Sequence, residues 1–216
     1  MRSLFIICFI LIFTSCGHHG FKLQKGDLLF QNLDCGELCD AIEKVTTGID
    51  GKKFSHVAIV SKIDNDGKVY IIEAYDGVTE TSLSEFLKRS YDDKGNPKVV
   101  VARLIPEYQY LIPVAVGRAY KLIGKKYDPK FDLNNDSYYC SELIYSIFNY
   151  KDEKHGEEVF PLNMMTFKDP RTGEIMTVWK EYFKKLGVPV PEGKSGINPG
   201  AISRSPKIKI VYNYAQ

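Results

Sequence analysis

Residues 54–75 read FSHVAIVSKIDNDGKVYIIEAY. Residues 54–63 are rich in β-branched and apolar side chains, a strand composition. Asn65-Asp66-Gly67 supplies the turn chemistry of a hairpin, and residues 68–75 supply the returning strand. A connection this short can join only antiparallel neighbours, because parallel strands need a long crossover. The same logic extends outward. GDLLFQ at 26–31 is a turn followed by a short apolar strand, and KVVVARL at 98–104 is another. Helical spacing predicts a helix over 38–47, with Leu38, Ile42 and Val45 on one face and Gly48 ending it. Ser82 with Glu85 three residues later predicts a capping box on a short helix to Arg89. Further helices are predicted at 114–123, stopped by Gly124, from about Cys140, and at 178–186, with a last strand at 207–212. Strands and helices mixed with hairpin-type links indicate an α+β fold, an antiparallel β-sheet packed against helices, rather than a doubly wound parallel sheet.

The 216 residues, 44% hydrophobic and 26% charged, suffice for one sizeable core. A net charge of +2 gives no argument for nucleic acid as a partner. At the start, MRSLFIICFILIFTSC places Arg2 before an apolar run from Leu4 to Phe13, too short to span a bilayer and of signal-peptide size. The run ends in small residues and Cys16, which resembles a bacterial lipobox. The expectation is a signal peptide over 1–15, lipidation at Cys16, a tether over 16–24 and a single domain over 25–216. The lipid would anchor the protein to a membrane of the cell envelope without a transmembrane helix. A plain secretory signal with an incidental cysteine is the alternative.

With Cys8 in the removed segment and Cys16 lipidated, Cys35, Cys39 and Cys140 remain. Cys35 and Cys39, four apart in DCGELCDAI, can meet on one helical face, as a bridge or as thiols in a structural role. Cys140 is then the unpaired thiol. It opens YCSELIYSIF, where Leu143, Ile144, Ile147 and Phe148 form an apolar stripe. A cysteine in a first helical turn lies among free N–H groups that favour a thiolate, yet it can equally be a small buried hydrophobe. Of the four histidines, His18, His19 and His155 lie in polar segments and His56 alone sits in an apolar strand. Glu73 interrupts an apolar strand, where a carboxylate is costly unless paired. About the 65–67 turn, His56 and Glu73 are roughly equidistant and in reach of a cross-strand pair. Position alone does not bring Cys140 to that hairpin.

GDLLFQ, SHVAIV and IIEAY resemble one half of the NlpC-type papain-like hydrolases of bacterial cell walls, and GRAYKLIGKKYD followed by YYCSELIY resembles the other. Here the cysteine half comes second, an order similar to the circularly permuted YaeF/YiiX-like branch. The resemblance covers residues 25–148. It implies Cys140 as nucleophile, His56 as general base, Glu73 as the residue that orients the imidazole, and Tyr127 as a hydroxyl assisting the oxyanion. Asp27 is structural in that reading. The segment 128–137 lacks the ordinary family's Trp-Gly-Gly, and the residues after Asn149 depart furthest from the pattern. The implied activity is a cofactor-free cysteine amidase or peptidase acting on a peptidoglycan stem peptide or related envelope amide. Acyl-chain amide hydrolysis or acyl transfer on the same residues is one alternative, and a non-catalytic peptide- or lipid-binding lipoprotein is another. A metal site of His56, Glu73 and Cys140 has acceptable ligand types but matches no zinc spacing.

Overall fold

The computed structural model describes residues 20–149 and 158–215. The expected signal segment 1–15, the lipidation residue Cys16, and His18, His19 and His155 lie outside the described residues. In chain order the elements are β1 (Leu28–Gln31), α1 (Glu37–Val45), β2 (His56–Ile63), β3 (Val69–Ala74), β4 (Val78–Ser82), α2 (Leu83–Leu87), β5 (Val99–Leu104), α3 (Ile112–Leu122), β6 (Lys126–Tyr127), β7 (Ser137–Tyr138), α4 (Cys140–Phe148), β8 (Asn163–Met164), α5 (Thr177–Lys185), β9 (Ser195–Gly196), α6 (Pro199–Ser203) and β10 (Ile208–Asn213). The main sheet has the order β10-β5-β1-β2-β3-β4. Each of its pairings is antiparallel.

The hairpin forms as its sequence predicts, with Gly67 at φ 82° in the turn and the Gly67 N–H donating to Asp64 O. One detail of its ladder has consequences for the site. Lys62 pairs with Tyr70, but Val60 pairs with Ile71, so Ser61 is an extra residue on β2. Side chains alternate faces along a strand, so this bulge changes which residues share a face. Beyond it Ile59 pairs with Ile72. Continuing that register sets Glu73 opposite Ala58, two residues from His56 and on the same face. In the unbulged register set by the turn, Glu73 would oppose Ile59 and point away from His56. The two residues are diagonal rather than directly opposed.

One sheet face carries Leu28, Phe30, Val57, Ile59, Ile72 and Ala102, covered by Ala115 and Val116 of α3 and Leu143, Ile144 and Ile147 of α4. The other carries Leu29, Ala58, Val60, Ile71 and Val99, covered by Phe86 of α2. The α2 capping box is complete, with Ser82 Oγ accepting from the Glu85 N–H and the Glu85 carboxylate accepting from the Ser82 N–H. A third, aromatic cluster joins α1 to α5 through Ala41, Phe167, Trp179 and Phe183. Cys35 and Cys39 are bridged, with Cα atoms 5.3 Å apart.

The described end of the expected tether lies on the sheet. Phe21 stacks on Tyr212 with ring centroids 4.4 Å apart, and Leu23 joins the second core cluster. These apolar side chains have surface to bury, which holds residues 21–24 against the fold. Asp27 is structural, as expected: it is fully buried and takes Arg103 through Nε at 2.6 Å and through the second guanidinium nitrogen at 2.8 Å.

Candidate active site

The nucleophile candidate is fixed from both sides. Cys140 is the first residue of α4, after Tyr139 at the N-cap. The Ile197 N–H donates to the Tyr139 hydroxyl at 3.2 Å, and Ser141 Oγ donates to Ile197 O at 3.0 Å. One residue of the C-terminal segment therefore holds both neighbours of Cys140. The Tyr139 N–H donates to the Glu142 carboxylate at 3.2 Å, which closes the first turn. The first N–H groups of a helix have no acceptor within it. Cys140 is buried and is the free cysteine of the described residues. Its Sγ donates to Ser55 O at 4.0 Å, so the start of α4 abuts the residue that leads into β2.

His56 follows immediately. Its Nε2 meets Glu73 Oε2 at 2.7 Å, which leaves Nδ1 for the Cys140 side. Burial works against a charge on the ring. The Cys140 thiol and the Glu73 carboxylate outweigh it and push the His56 pKa up to about 9. Tyr75 meets the ring edge-on and Phe86 packs beside it, so the imidazole has little freedom to rotate.

Glu73 is fully buried, as the sequence pattern required it to be paired. It has a second partner that sequence reading missed. Arg89, just beyond α2, grips both carboxylate oxygens, at 2.6 Å and 2.7 Å. Burial alone would raise the Glu73 pKa, but the hydrogen bonds from His56 and Arg89 bring it down to about 2. The Arg89 guanidinium lies 4.2 Å from the Tyr75 ring centroid. Nothing in FLKRSY separates Arg89 from a surface cation; only the fold carries it to β3. The result is a line, Arg89–Glu73–His56, in which a permanent cation fixes the carboxylate and the carboxylate fixes the ring, with the thiol of Cys140 acting on the ring's charge.

Tyr127 also reaches this place. The turn before it is held by β4: the Val78 N–H donates to Lys125 O at 2.8 Å and the Gly124 N–H to Val78 O at 2.9 Å. Gly77 permits the approach, since a Cβ there would stand 3.0 Å from Lys125 O, at a φ of 108°. Tyr127 and Cys140 line one cleft of about 640 Å³ including its open mouth. Burial, and then charge on Cys140, raise the Tyr127 pKa, so its hydroxyl stays protonated and able to donate.

The remaining cleft wall comes from residues for which the sequence gave no functional signal: Ile42 and Val45 of α1, then Met165, Phe167, Trp179 and Ile197. As for the metal alternative, the Glu73 carboxylate oxygens are taken by His56 and Arg89. Among the described residues no group of three or more His, Cys, Asp or Glu side chains is arranged to hold a metal ion.

Comparison with known proteins gives the family and the fold. The model of a family described as permuted papain-like amidase enzymes, YaeF/YiiX, C92 family, matches residues 22–212. The protein named Uncharacterized protein YiiX of Escherichia coli (strain K12) is 24% identical over 217 residues, spanning 98% of this chain and 96% of its own. A crystal structure titled as metalloprotein yiiX from Escherichia coli O157:H7 superposes with a TM-score of 0.68 at 22% identity, covering 89% of this chain and 98% of that one. At that identity the likeness speaks for the fold.

Proposed function

The chain belongs to the permuted papain-like amidase family, an amide hydrolase at that level, and from this we propose that it opens an amide through Cys140, His56 and Glu73. In this reading His56 Nδ1 takes the thiol proton and Cys140 Sγ attacks the carbonyl carbon. The first-turn N–H groups of α4 and the Tyr127 hydroxyl receive the oxyanion. The C–N bond breaks, His56 gives its proton to the leaving amine, and a thioester remains on Sγ. A water then attacks the thioester as His56 removes its proton, and that proton returns to the thiol as the acid leaves. Glu73 holds the ring in register and favours its charged form, while Arg89 keeps Glu73 ionised.

The observation that carries this reading is the line from Arg89 through the buried Glu73 to the buried His56, in which Glu73 occupies one ring nitrogen and leaves the other free for the thiol. A structural histidine would not need a carboxylate so firmly fixed by a second cation. Cys140→Ala and His56→Ala are each expected to lower turnover of an acyl anilide by about 10⁴-fold or more with circular dichroism unchanged. Full activity in Cys140→Ala would end the proposal.

For the setting, we propose an envelope lipoprotein anchored through Cys16, supported by the signal-like run before it. Labelling cells with an alkyne fatty acid should tag the wild type and not Cys16→Ser. Equal labelling of both would refute the anchor. The substrate is then an amide of the envelope. Peptidoglycan stem peptides fit the family resemblance, while acyl-chain amides are favoured by a specific observation, the apolar wall of the cleft beside Cys140.

A further inference from the structure

Two polar atoms in the cleft wall are left without partners. Trp179 is fully buried, yet its indole Nε1–H has no hydrogen-bond acceptor among the described residues. Asn163 Oδ1 is likewise buried without a donor, while its Nδ2 is spent on Met164 O at 3.0 Å. Both residues line the cleft that holds Cys140. Folded proteins rarely leave such atoms unsatisfied, because each costs about 1–3 kcal/mol. Much of the wall around them is apolar, with Ile42, Val45, Phe131, Met165 and Phe167 among its residues. An apolar pocket with a few convergent polar atoms is the usual form of a small-molecule site.

The chemistry of those atoms defines the occupant. A free N–H calls for a carbonyl oxygen, and a free amide oxygen calls for an N–H. Together they complement a secondary amide, and the surrounding wall complements a hydrocarbon chain. We infer that the cleft is a substrate subsite for an apolar chain attached to a second amide that is not the one cleaved, with Trp179 donating to that amide's carbonyl and Asn163 accepting from its N–H. The chain can be a fatty acyl group or an apolar amino-acyl side chain, which share this chemistry. The inference rests on the hydrolase reading for its link to catalysis and names the substrate class of that same site.

The sequence contains one tryptophan, so Trp179 emission reports on this pocket directly. Cys140→Ala protein, which cannot turn over substrate, is titrated with N-octanoylglycinamide, N-acetylleucinamide, N-acetylglycinamide and 1-octanol. The two amides with apolar groups are expected to shift the emission and saturate, and their relative Kd identifies the source of the chain. N-Acetylglycinamide should leave the emission unchanged. 1-Octanol should bind about tenfold more weakly than the octanoyl amide, for lack of the hydrogen-bonded group. In the enzyme with Cys140 intact, Trp179→Phe should lower kcat/KM for N-octanoylglycine anilide about tenfold, chiefly through KM.

Unchanged emission with every compound, or equal binding of octanol and octanoyl amide, would overturn the inference. So would an unchanged KM for that anilide in Trp179→Phe. The titration needs no change at Trp179, so it stays readable if Trp179→Phe fails to fold. A saturable emission shift alongside full turnover in Cys140→Ala would refute the hydrolase reading and leave the pocket standing. Cys140-dependent cleavage with a preference for polar acyl groups would do the opposite.

Discussion

Replacing Glu73 by Gln tests the line of charges with almost no change of shape. The glutamine keeps one oxygen but presents an NH₂ group to Arg89 or to His56, both donors on that side. One of the three contacts becomes donor against donor, and the negative charge is gone. Breaking a buried ion pair costs about 3–5 kcal/mol. Arg89 is 20% exposed and can recover some hydration, which favours the lower end. For a chain of this size about 3 kcal/mol corresponds to a Tm drop of roughly 6–12 °C. The second effect falls on His56. Burial still opposes charge on its ring, and one of the two groups that raise its pKa to about 9 is removed. Loss of a close opposite charge lowers it by about 1–3 units. The rate of Cys140 alkylation by iodoacetamide against pH reads this without any substrate, and its upper inflection should move down by that amount.

The pH dependence of stability carries the same signature. A raised His56 pKa stabilises the fold fully below about 6.5, and the contribution is lost as pH rises through about 9. A lowered Glu73 pKa stabilises it above about 4.5, and the contribution is lost as pH falls through about 2. The stability gap between wild type and Glu73→Gln should therefore be widest between pH 4.5 and 6.5 and narrow on both sides. A gap that stays flat from pH 3 to 10, with superposable alkylation profiles, would refute the coupling of Glu73 to His56.

Two further substitutions probe the surroundings. Arg89→Met should destabilise by about 3 kcal/mol and raise the Glu73 pKa, while Arg89→Lys, with one ammonium in place of the fork, should recover about half; urea unfolding checks both, and full recovery in Arg89→Lys would show that charge alone matters. Glu142 is raised to about 8, first by burial and then by Asp128 and Asp132, against the Tyr139 N–H that lowers it. The native state thus holds this proton longer than the unfolded chain, so wild-type stability should fall between pH 4.5 and 8 at up to ~1.4 kcal/mol per unit. Glu142→Gln keeps the acceptor for Tyr139 and should flatten that slope; an unchanged slope in urea midpoints would assign it to another group.

Much of the scaffold is visible in the sequence because its signals are local. The hairpin turn, the α2 capping box, the Gly124 stop and the stripe behind Cys140 each lie within a few residues of what they specify, and each forms as read. The strand β4 escapes that kind of reading. Its sequence VTETS sits on the sheet edge with only Val78 buried, so no apolar alternation marks it. The α+β class, the antiparallel sheet and the permuted order of halves stand. The site was legible as three unusual residues and the resemblance that joins them. Arg89, Ile197 and Trp179 were not, because their parts depend on contacts made across 16 residues for Arg89 to Glu73 and 56 for Ser141 to Ile197. The Ser61 bulge was also invisible. Two registers of the same hairpin satisfy the apolar pattern nearly equally, since both faces of β2 are buried.

The Cys35–Cys39 bridge, finally, bears on how the thiol survives synthesis. Among the described residues there are three cysteines, which could pair in three ways, and two of those consume Cys140. The native pair is separated by four positions, whereas either wrong pair must close a loop of roughly a hundred. Chain-closure statistics favour the short loop by about a hundredfold. The short loop thus takes up both competitors of Cys140, and the cysteine left over is the one at the start of α4.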